Sequence, residues 1–222
     1  MRENIRLTAS DGHTFDAYRV DPQAAPKAGL VVVQEIFGVN EHMRGVCDGF
    51  AADGYAVVAP AIYDRTERGV ELGYDEAGMA RARELRAAAA DTEAVLRDID
   101  AGGRAVRAAG KVGVVGYCWG GRLAWLSACQ LNFECAVGYY GGAIVETKNE
   151  TPGCATMLHF GDQDTSIPMS EVDEIRAAQP DLPVHVYPAG HGFNCDLRGS
   201  YHAESAALAR ERTLAFFAEH LG

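Results

Sequence analysis

Residues 112–121 read VGVVGYCWGG, and this stretch decides the fold class. The apolar run Val112–Tyr117 is typical of a strand that is buried on both faces of a parallel sheet. The next residues follow the pattern G-x-S-x-G of a strand–turn–helix elbow, with Cys118 in the serine position. Larger side chains two residues on either side of Cys118 would collide in so tight a turn, which explains Gly116 and Gly120. The stretch predicts a cysteine at a helix N-terminus, where the dipole favours a thiolate nucleophile, rather than a buried structural cysteine.

Strand and helix patterns alternate on both sides of this elbow. Asn4–Thr8 and Thr14–Val20, joined through Asp11-Gly12, predict a hairpin that adds antiparallel strands at one edge of a sheet. Asp75–Ala109 is a long helical region, and Gly102-Gly103 is its candidate break. Further apolar runs with helical patterns between them are Leu30–Val33, Tyr55–Ala59, Cys135–Tyr140, Ala155–Phe160 and Val184–Tyr187. The alternation predicts one α/β domain over residues 1–222, with a mostly parallel sheet and helices on both faces.

Composition and charge argue against several classes of function. A net charge of −11 at pH 7 repels phosphate backbones, so nucleic-acid binding is not expected. Residues 1–11 lack the apolar core of a signal peptide. The sequence also contains no apolar run of about 18 residues, the length that is needed to span a membrane. The six cysteines are therefore expected to be free thiols of a cytoplasmic protein. His159 and Cys154 have no matching pair at metal-ligand spacing, so neither a metal nor a cofactor is expected.

Two polar residues follow later strands, at the edge of the sheet where the crevice of such folds lies. Asp164 stands in GDQDTSIP (161–168) and His191 in AGHGF (189–193). A loop acid is usually a solvated turn or helix cap, and Asp162 fits that role. Asp164 is expected to orient the histidine, and His191 to act as base for Cys118. The chain order of nucleophile, acid and histidine is that of α/β-hydrolases.

The residues after Leu30–Val33 complete the expected site. Glu35 ends this buried strand and precedes two apolar residues, so its carboxylate is expected to point into the crevice. The backbone N–H groups of Ile36 and Trp119 are expected to form an oxyanion hole for the tetrahedral intermediate of acyl transfer.

These stretches together resemble the dienelactone hydrolase family, the carboxymethylenebutenolidases. The matching pieces are QEIFGVNEH (34–42), GYAVVAP (54–60), GYCWGG (116–121), GDQDTSIP (161–168), AGHGF (189–193) and SAALARERTL (205–214). The resemblance covers nearly the whole chain in the right order. It implies a single-domain α/β-hydrolase without a large lid or a metal, and a triad of Cys118, His191 and Asp164. It also implies that Glu35 pairs with the resting thiol and helps to take its proton once substrate binds.

The chain departs from this family in the residues that hold the substrate. Dienelactone hydrolases commonly bind a substrate carboxylate with two arginines, and the corresponding positions here are Met79 and the stretch Asn194–Asp196. Arg81, Arg83 or Arg198 are the candidate substitutes, since a guanidinium binds carboxylates in a bidentate manner. The alternative for each of these arginines is that it is an ordinary solvated charge on a helix or loop and does not bind the substrate.

Aromatic residues near the expected strand ends are candidates for an apolar pocket wall. Phe37, Tyr140 and Phe193 fit this description, although aromatics at such positions are more often plain core packing.

The sequence predicts hydrolysis of a lactone or ester through a thioester acyl-enzyme. The alternatives are a promiscuous carboxylesterase with a different small ester substrate, a thiol redox protein that uses Cys118, and a non-catalytic binding module. The expected partner is the small-molecule substrate, and the expected assembly is a monomer or weak homodimer.

Overall fold

The computed structural model describes residues 1–222 and contains one eight-stranded sheet. Its strands are β1 (Arg2–Thr8), β2 (Thr14–Val20), β3 (Gly29–Val33), β4 (Ala56–Pro60), β5 (Val112–Tyr117), β6 (Cys135–Tyr139), β7 (Ala155–Gly161) and β8 (Val184–Tyr187). The order across the sheet is β1-β2-β4-β3-β5-β6-β7-β8. The six strands β3 to β8 pair in parallel with one another. The strand β1 pairs antiparallel with β2, and β2 pairs antiparallel with β4. The hairpin therefore lies at one edge of the sheet, as the sequence predicts.

The middle of the sheet is built from residues that are apolar on both faces. All five residues of β3 and all six of β5 are buried, and both strands pair with parallel neighbours on either side. β-branched valines fit such a doubly covered strand well, because they pack against neighbours on the pleated surface. This central part of the sheet supports the elbow at Cys118.

Six helices flank the sheet: α1 (Glu41–Ala52), α2 (Glu76–Ala88), α3 (Thr92–Val106), α4 (Trp119–Gln130), α5 (Met169–Ala178) and α6 (Ala203–Leu221). Phe50 of α1 packs against Phe217 of α6 with ring centroids 5.8 Å apart. The connection from β6 to β7 contains only a 3-10 turn at Ile144–Thr147, so no helical lid is inserted there. No helix is long and apolar enough to cross a membrane.

The break in the long helical region differs from the prediction. It falls at residues 89–91, and Gly102-Gly103 lies inside α3. Asp91 caps α3, because its carboxylate accepts a hydrogen bond from Ala94 N at 2.8 Å. A Cβ on Gly103 would lie 3.1 Å from the ring of Phe133, so this glycine serves close packing. The sequence prediction treated a packing glycine as a helix breaker.

Candidate active site

Cys118 lies in the tight turn between β5 and α4. Its backbone has φ +56° and ψ −116°, a conformation that costs a non-glycine residue about 1–3 kcal/mol. A Cβ on Gly116 would lie 1.8 Å from the carbonyl oxygen of Gly120, and one on Gly120 would lie 2.3 Å from that of Val33. The two glycines therefore allow strand and helix to approach this closely, and Cys118 stands at the N-terminus of α4.

The Cys118 thiol, the His191 imidazole and the Asp164 carboxylate form a continuous line. Nε2 of His191 lies 3.2 Å from Sγ of Cys118, and Nδ1 lies 2.7 Å from Oδ2 of Asp164. The three residues follow β5, β8 and β7, whose parallel arrangement brings their ends to one edge of the sheet. The imidazole lies between its two partners, so its Nε2 can exchange a proton with the sulfur while the carboxylate holds the ring in place.

Asp164 is held in place by the backbone as well as by His191. Its Oδ1 accepts hydrogen bonds from Ser166 N at 2.8 Å and Ile167 N at 3.2 Å, which leaves Oδ2 for the imidazole. The side chain is 1% exposed. These contacts fix the orientation of the carboxylate and, through it, that of the ring.

The environment of His191 favours its charged form. Burial alone would lower the pKa of the imidazole, but its hydrogen bonds with Asp164 and Cys118 outweigh burial and raise the pKa to about 10. The ring is therefore protonated at neutral pH. The protonated ring lies 3.2 Å from the sulfur of Cys118, which stands at the N-terminus of α4.

Two backbone amides next to the thiol have no hydrogen-bond acceptor within the protein. They are the N–H groups of Ile36 and Trp119, and both residues line the same cavity as Cys118. By contrast, the neighbouring Gly120 N–H donates to Gln34 O at 3.1 Å, which ties the start of α4 to the end of β3. Unused donors beside a nucleophile are the requirement for an oxyanion hole.

Glu35 is completely buried close to this line but does not contact the sulfur. The Tyr74 hydroxyl donates to its Oε2 at 3.0 Å, and Nη1 of Arg198 lies 3.7 Å from its Oε1. Oε1 has no hydrogen-bond partner. The resting thiol is paired with His191 here, which differs from the pairing with Glu35 that the family resemblance implies.

A cavity of about 450 Å³ opens above Cys118, and four arginines line it. These are Arg83 and Arg86 of α2, Arg122 of α4, and Arg198. Arg122 is paired with Glu146 at 2.8 Å. The guanidinium of Arg86 lies 4.6 Å from the ring centroid of Trp119. The cavity is therefore cationic in a chain whose net charge is −11.

Of the predicted pocket residues, Phe37 and Arg83 line the cavity. Arg81 does not line it, and its guanidinium pairs instead with Glu67 and Glu84. Helix geometry explains this outcome: residues 79, 83 and 86 share one face of α2, and residue 81 falls on another. The sequence analysis missed Arg86, and the same helical spacing is the signal that could have identified it.

Tyr140 and Phe193 also lie outside the cavity lining. Both are fully buried, and their rings pack against each other with centroids 5.3 Å apart. The Tyr140 ring lies 5.2 Å from that of His191. These two aromatic residues support the histidine from within the core, and neither contributes to the wall of the pocket.

A second group of cysteine, histidine and aspartate lies near Glu35. Cys195 and Asp196 follow β8, and His42 belongs to α1. One donor atom from each side chain lies within 4.8 Å of the other two. Sequence reasoning missed this group because His42 and Asp196 are 154 positions apart and carry no motif.

The sheet order, the cysteine elbow and the histidine–aspartate pair at adjoining strand ends define the class of the protein as an α/β-hydrolase. The sequence profile of the dienelactone hydrolase family matches residues 15–221. The chain belongs to this family, and it is a carboxylic ester hydrolase that cleaves esters or lactones.

Individual relatives agree with this assignment. The carboxymethylenebutenolidase of Pseudomonas putida is 39% identical over 229 residues, covering 98% of this chain and 97% of the relative. A putative carboxymethylenebutenolidase of Yersinia pestis is 37% identical and covers 95% of this chain and 86% of the relative. The crystal structure of a putative dienelactone hydrolase from Klebsiella pneumoniae superposes with a TM-score of 0.83 at 33% identity, covering 97% and 99% of the two chains.

Proposed function

We propose that the chain hydrolyses a lactone or small ester with Cys118 as nucleophile, His191 as acid and base, and Asp164 as the residue that orients the imidazole. One observation carries this proposal: the sulfur lies 3.2 Å from one ring nitrogen, and the carboxylate lies 2.7 Å from the other. This is the relation that nucleophile, base and orienting group have in triads.

The reaction proceeds in two halves. The Cys118 thiolate attacks the carbonyl carbon, and the resulting oxyanion is held by the N–H groups of Ile36 and Trp119. The C–O bond of the lactone or ester then breaks, the leaving oxygen takes the proton from His191, and a thioester remains. A water molecule gives a proton to the neutral His191 and attacks the thioester, and the C–S bond breaks, which releases the acid and restores the Cys118 thiolate beside the protonated imidazole. Each oxyanion donor is expected to lower the barrier by about 3 kcal/mol.

Glu35 is assigned to the deprotonation of Cys118 in a second arrangement of the thiol. Its Oε1 is buried and has no hydrogen-bond partner, so it can accept a proton or a hydrogen bond when the sulfur turns away from His191. Tyr74 holds the other carboxylate oxygen at 3.0 Å and thereby leaves Oε1 as the free acceptor.

The proposed substrate carries a negative charge on the acyl or the leaving side. Support comes from the four arginines that line the cavity, of which Arg83 has no ion-pair partner in the structure. A guanidinium binds a carboxylate through two parallel hydrogen bonds, so an anionic substrate would be held at a fixed distance from the nucleophile.

Residues 1–222 are proposed to act as a single domain, since the sheet and all helices share one main hydrophobic core.

The nucleophile assignment is tested by turnover of activated aryl esters and enol lactones. Cys118→Ala is expected to abolish hydrolysis while the far-ultraviolet circular dichroism spectrum is retained. Cys118→Ser is expected to be strongly impaired, because a hydroxyl is far less acidic than a thiol. Wild-type turnover by a folded Cys118→Ala variant would show that another residue is the nucleophile.

The charge of the substrate is tested with pairs of lactones that differ only in the presence of a carboxylate. Arg83→Gln is expected to raise KM for the charged member by about tenfold, corresponding to the loss of roughly 1.4 kcal/mol, and to affect the neutral member much less. Arg81→Gln is the matched control, since this neighbouring arginine lies outside the cavity. Equal effects of the two variants would contradict the proposed role of the cavity arginines.

A further inference from the structure

The second cysteine–histidine–aspartate group differs from the group of Cys118, His191 and Asp164 in the spacing of its donor atoms. In the group of Cys118, His191 and Asp164, the imidazole lies between the sulfur and the carboxylate, and each of these contacts a different ring nitrogen. In the second group, one donor atom each of His42, Cys195 and Asp196 lies within 4.8 Å of the others. Three donors that converge in this way surround a common point, and a cation can occupy such a point.

One donor atom of this group has no partner in the protein, whereas the Cys195 thiol lies against the Tyr74 hydroxyl. Nδ1 of His42 lies 3.1 Å from Oδ1 of Asp196, but Nε2 is buried and has no hydrogen-bond partner. The His42 side chain is only 5% exposed. An unpartnered buried imidazole nitrogen is costly, and a metal ion would satisfy it if it were coordinated through Nε2.

The surroundings give a cation access to the group. A cavity of about 480 Å³ between α1 and α6 is lined by His42 and Asp196, and Glu41 lines it as well. Asp196 is 67% exposed, so its carboxylate can reach an incoming ion and turn with it towards the buried donors. The fully buried Cys195 forms the inner end of the group.

We propose that His42, Cys195 and Asp196 form a binding site for a divalent cation of the zinc class. Nitrogen, sulfur and oxygen donors together are the ligands that zinc prefers, and three protein ligands leave one tetrahedral position for water. A neutral imidazole, a thiolate and a carboxylate balance the two positive charges of the ion. On binding, Cys195 releases its proton to solvent and its sulfur forms the bond to the metal.

The site is tested by cobalt and zinc titration of the full chain under anaerobic conditions. Cys118→Ala serves as the parent protein, so that the catalytic thiol cannot contribute. We expect one Co²⁺ per chain, with a thiolate-to-cobalt charge-transfer band and the visible absorption of a tetrahedral site, and displacement of Co²⁺ by Zn²⁺. Introducing Cys195→Ser is expected to remove the charge-transfer band and to weaken Zn²⁺ binding by at least about tenfold.

Two further variants keep the test independent of folding at the buried cysteine. Asp196→Asn changes an exposed side chain and is expected to weaken Zn²⁺ binding by about tenfold, as loss of one charged ligand should. Cys129→Ser, which removes a half-buried thiol of α4, is the control and should keep the band. Absence of the band in the parent, its survival in Cys195→Ser, or unchanged Zn²⁺ affinity in Asp196→Asn would overturn the proposal.

Discussion

The protein contains two groups of the same three residue types, Cys118, His191 and Asp164 on the one hand and Cys195, His42 and Asp196 on the other, and their surroundings differ. Cys118 stands in a strained turn at the N-terminus of α4 and lines an open cavity. Cys195 is fully buried, and burial raises the pKa of its thiol to about 11. The backbone N–H of Cys195 is already used, donating to Gly192 O at 2.9 Å.

The comparison shows that residue composition alone does not define a catalytic site. Acyl transfer needs a thiolate at an exposed position, a base between thiol and acid, and unused amides for the oxyanion. The group around Cys118 has a sulfur that lines a cavity, an imidazole between sulfur and carboxylate, and two backbone amides without an acceptor in the protein. The group around Cys195 has the residue types without this arrangement, and its converging donors suit the binding of an ion.

The largest expected contrast is between the two aspartates. Asp164→Asn removes the acceptor that orients the imidazole and is expected to lower kcat/KM by about 10²–10⁴-fold, as the loss of a triad acid does elsewhere. Asp196→Asn is expected to lower it by less than about fivefold. Steady-state kinetics with one aryl ester measures both variants. Comparable losses would mean that the second group takes part in the chemistry.

A smaller contrast is expected between the two thiols. Cys118 should react with iodoacetamide at least about 100-fold faster than Cys195, because the thiolate is the reactive species and only Cys118 combines exposure with a neighbouring imidazolium. Peptide mapping by mass spectrometry after timed quenching gives both rates in one experiment. Faster labelling of Cys195 would reverse the assignment of the two groups.

The third contrast concerns the charge of His191. Its pKa should be close to 10 in the wild type and clearly lower in Asp164→Asn, which NMR titration of the imidazole measures. Because the folded-state pKa exceeds the unfolded value of about 6.5, the hydrogen bonds contribute stability fully below pH 6.5. This contribution is lost as the pH rises through 10. Thermal unfolding of the two proteins should therefore converge at alkaline pH, and a constant difference would contradict the ion pair.

Much of the fold could be predicted because its signals are local. The valine run of β3 and the glycines around Cys118 have few structural alternatives, and parallel strands necessarily end at the same edge of a sheet. The order of Cys118, Asp164 and His191 along the chain then predicts a common site, which the distances of 3.2 Å and 2.7 Å match.

What could not be predicted depends on contacts between distant segments or on helix orientation. His42 and Asp196 meet only because α1 and the segment after β8 lie together in the fold. Arg81 and Arg83 are alike in sequence, and the rotation of α2 decides which of them reaches the cavity. The aromatic residues Tyr140 and Phe193 belong to the core, where sequence does not distinguish packing from a pocket wall.

The most direct test of the nucleophile assignment is to trap the acyl-enzyme. The protein is mixed with a slowly hydrolysed enol lactone or aryl ester, quenched in acid, digested and analysed by mass spectrometry. A thioester on the peptide that contains Cys118, absent in Cys118→Ala, is the predicted result. An acyl group on Cys195 or on any other side chain, with Cys118 unmodified during turnover, would contradict the account.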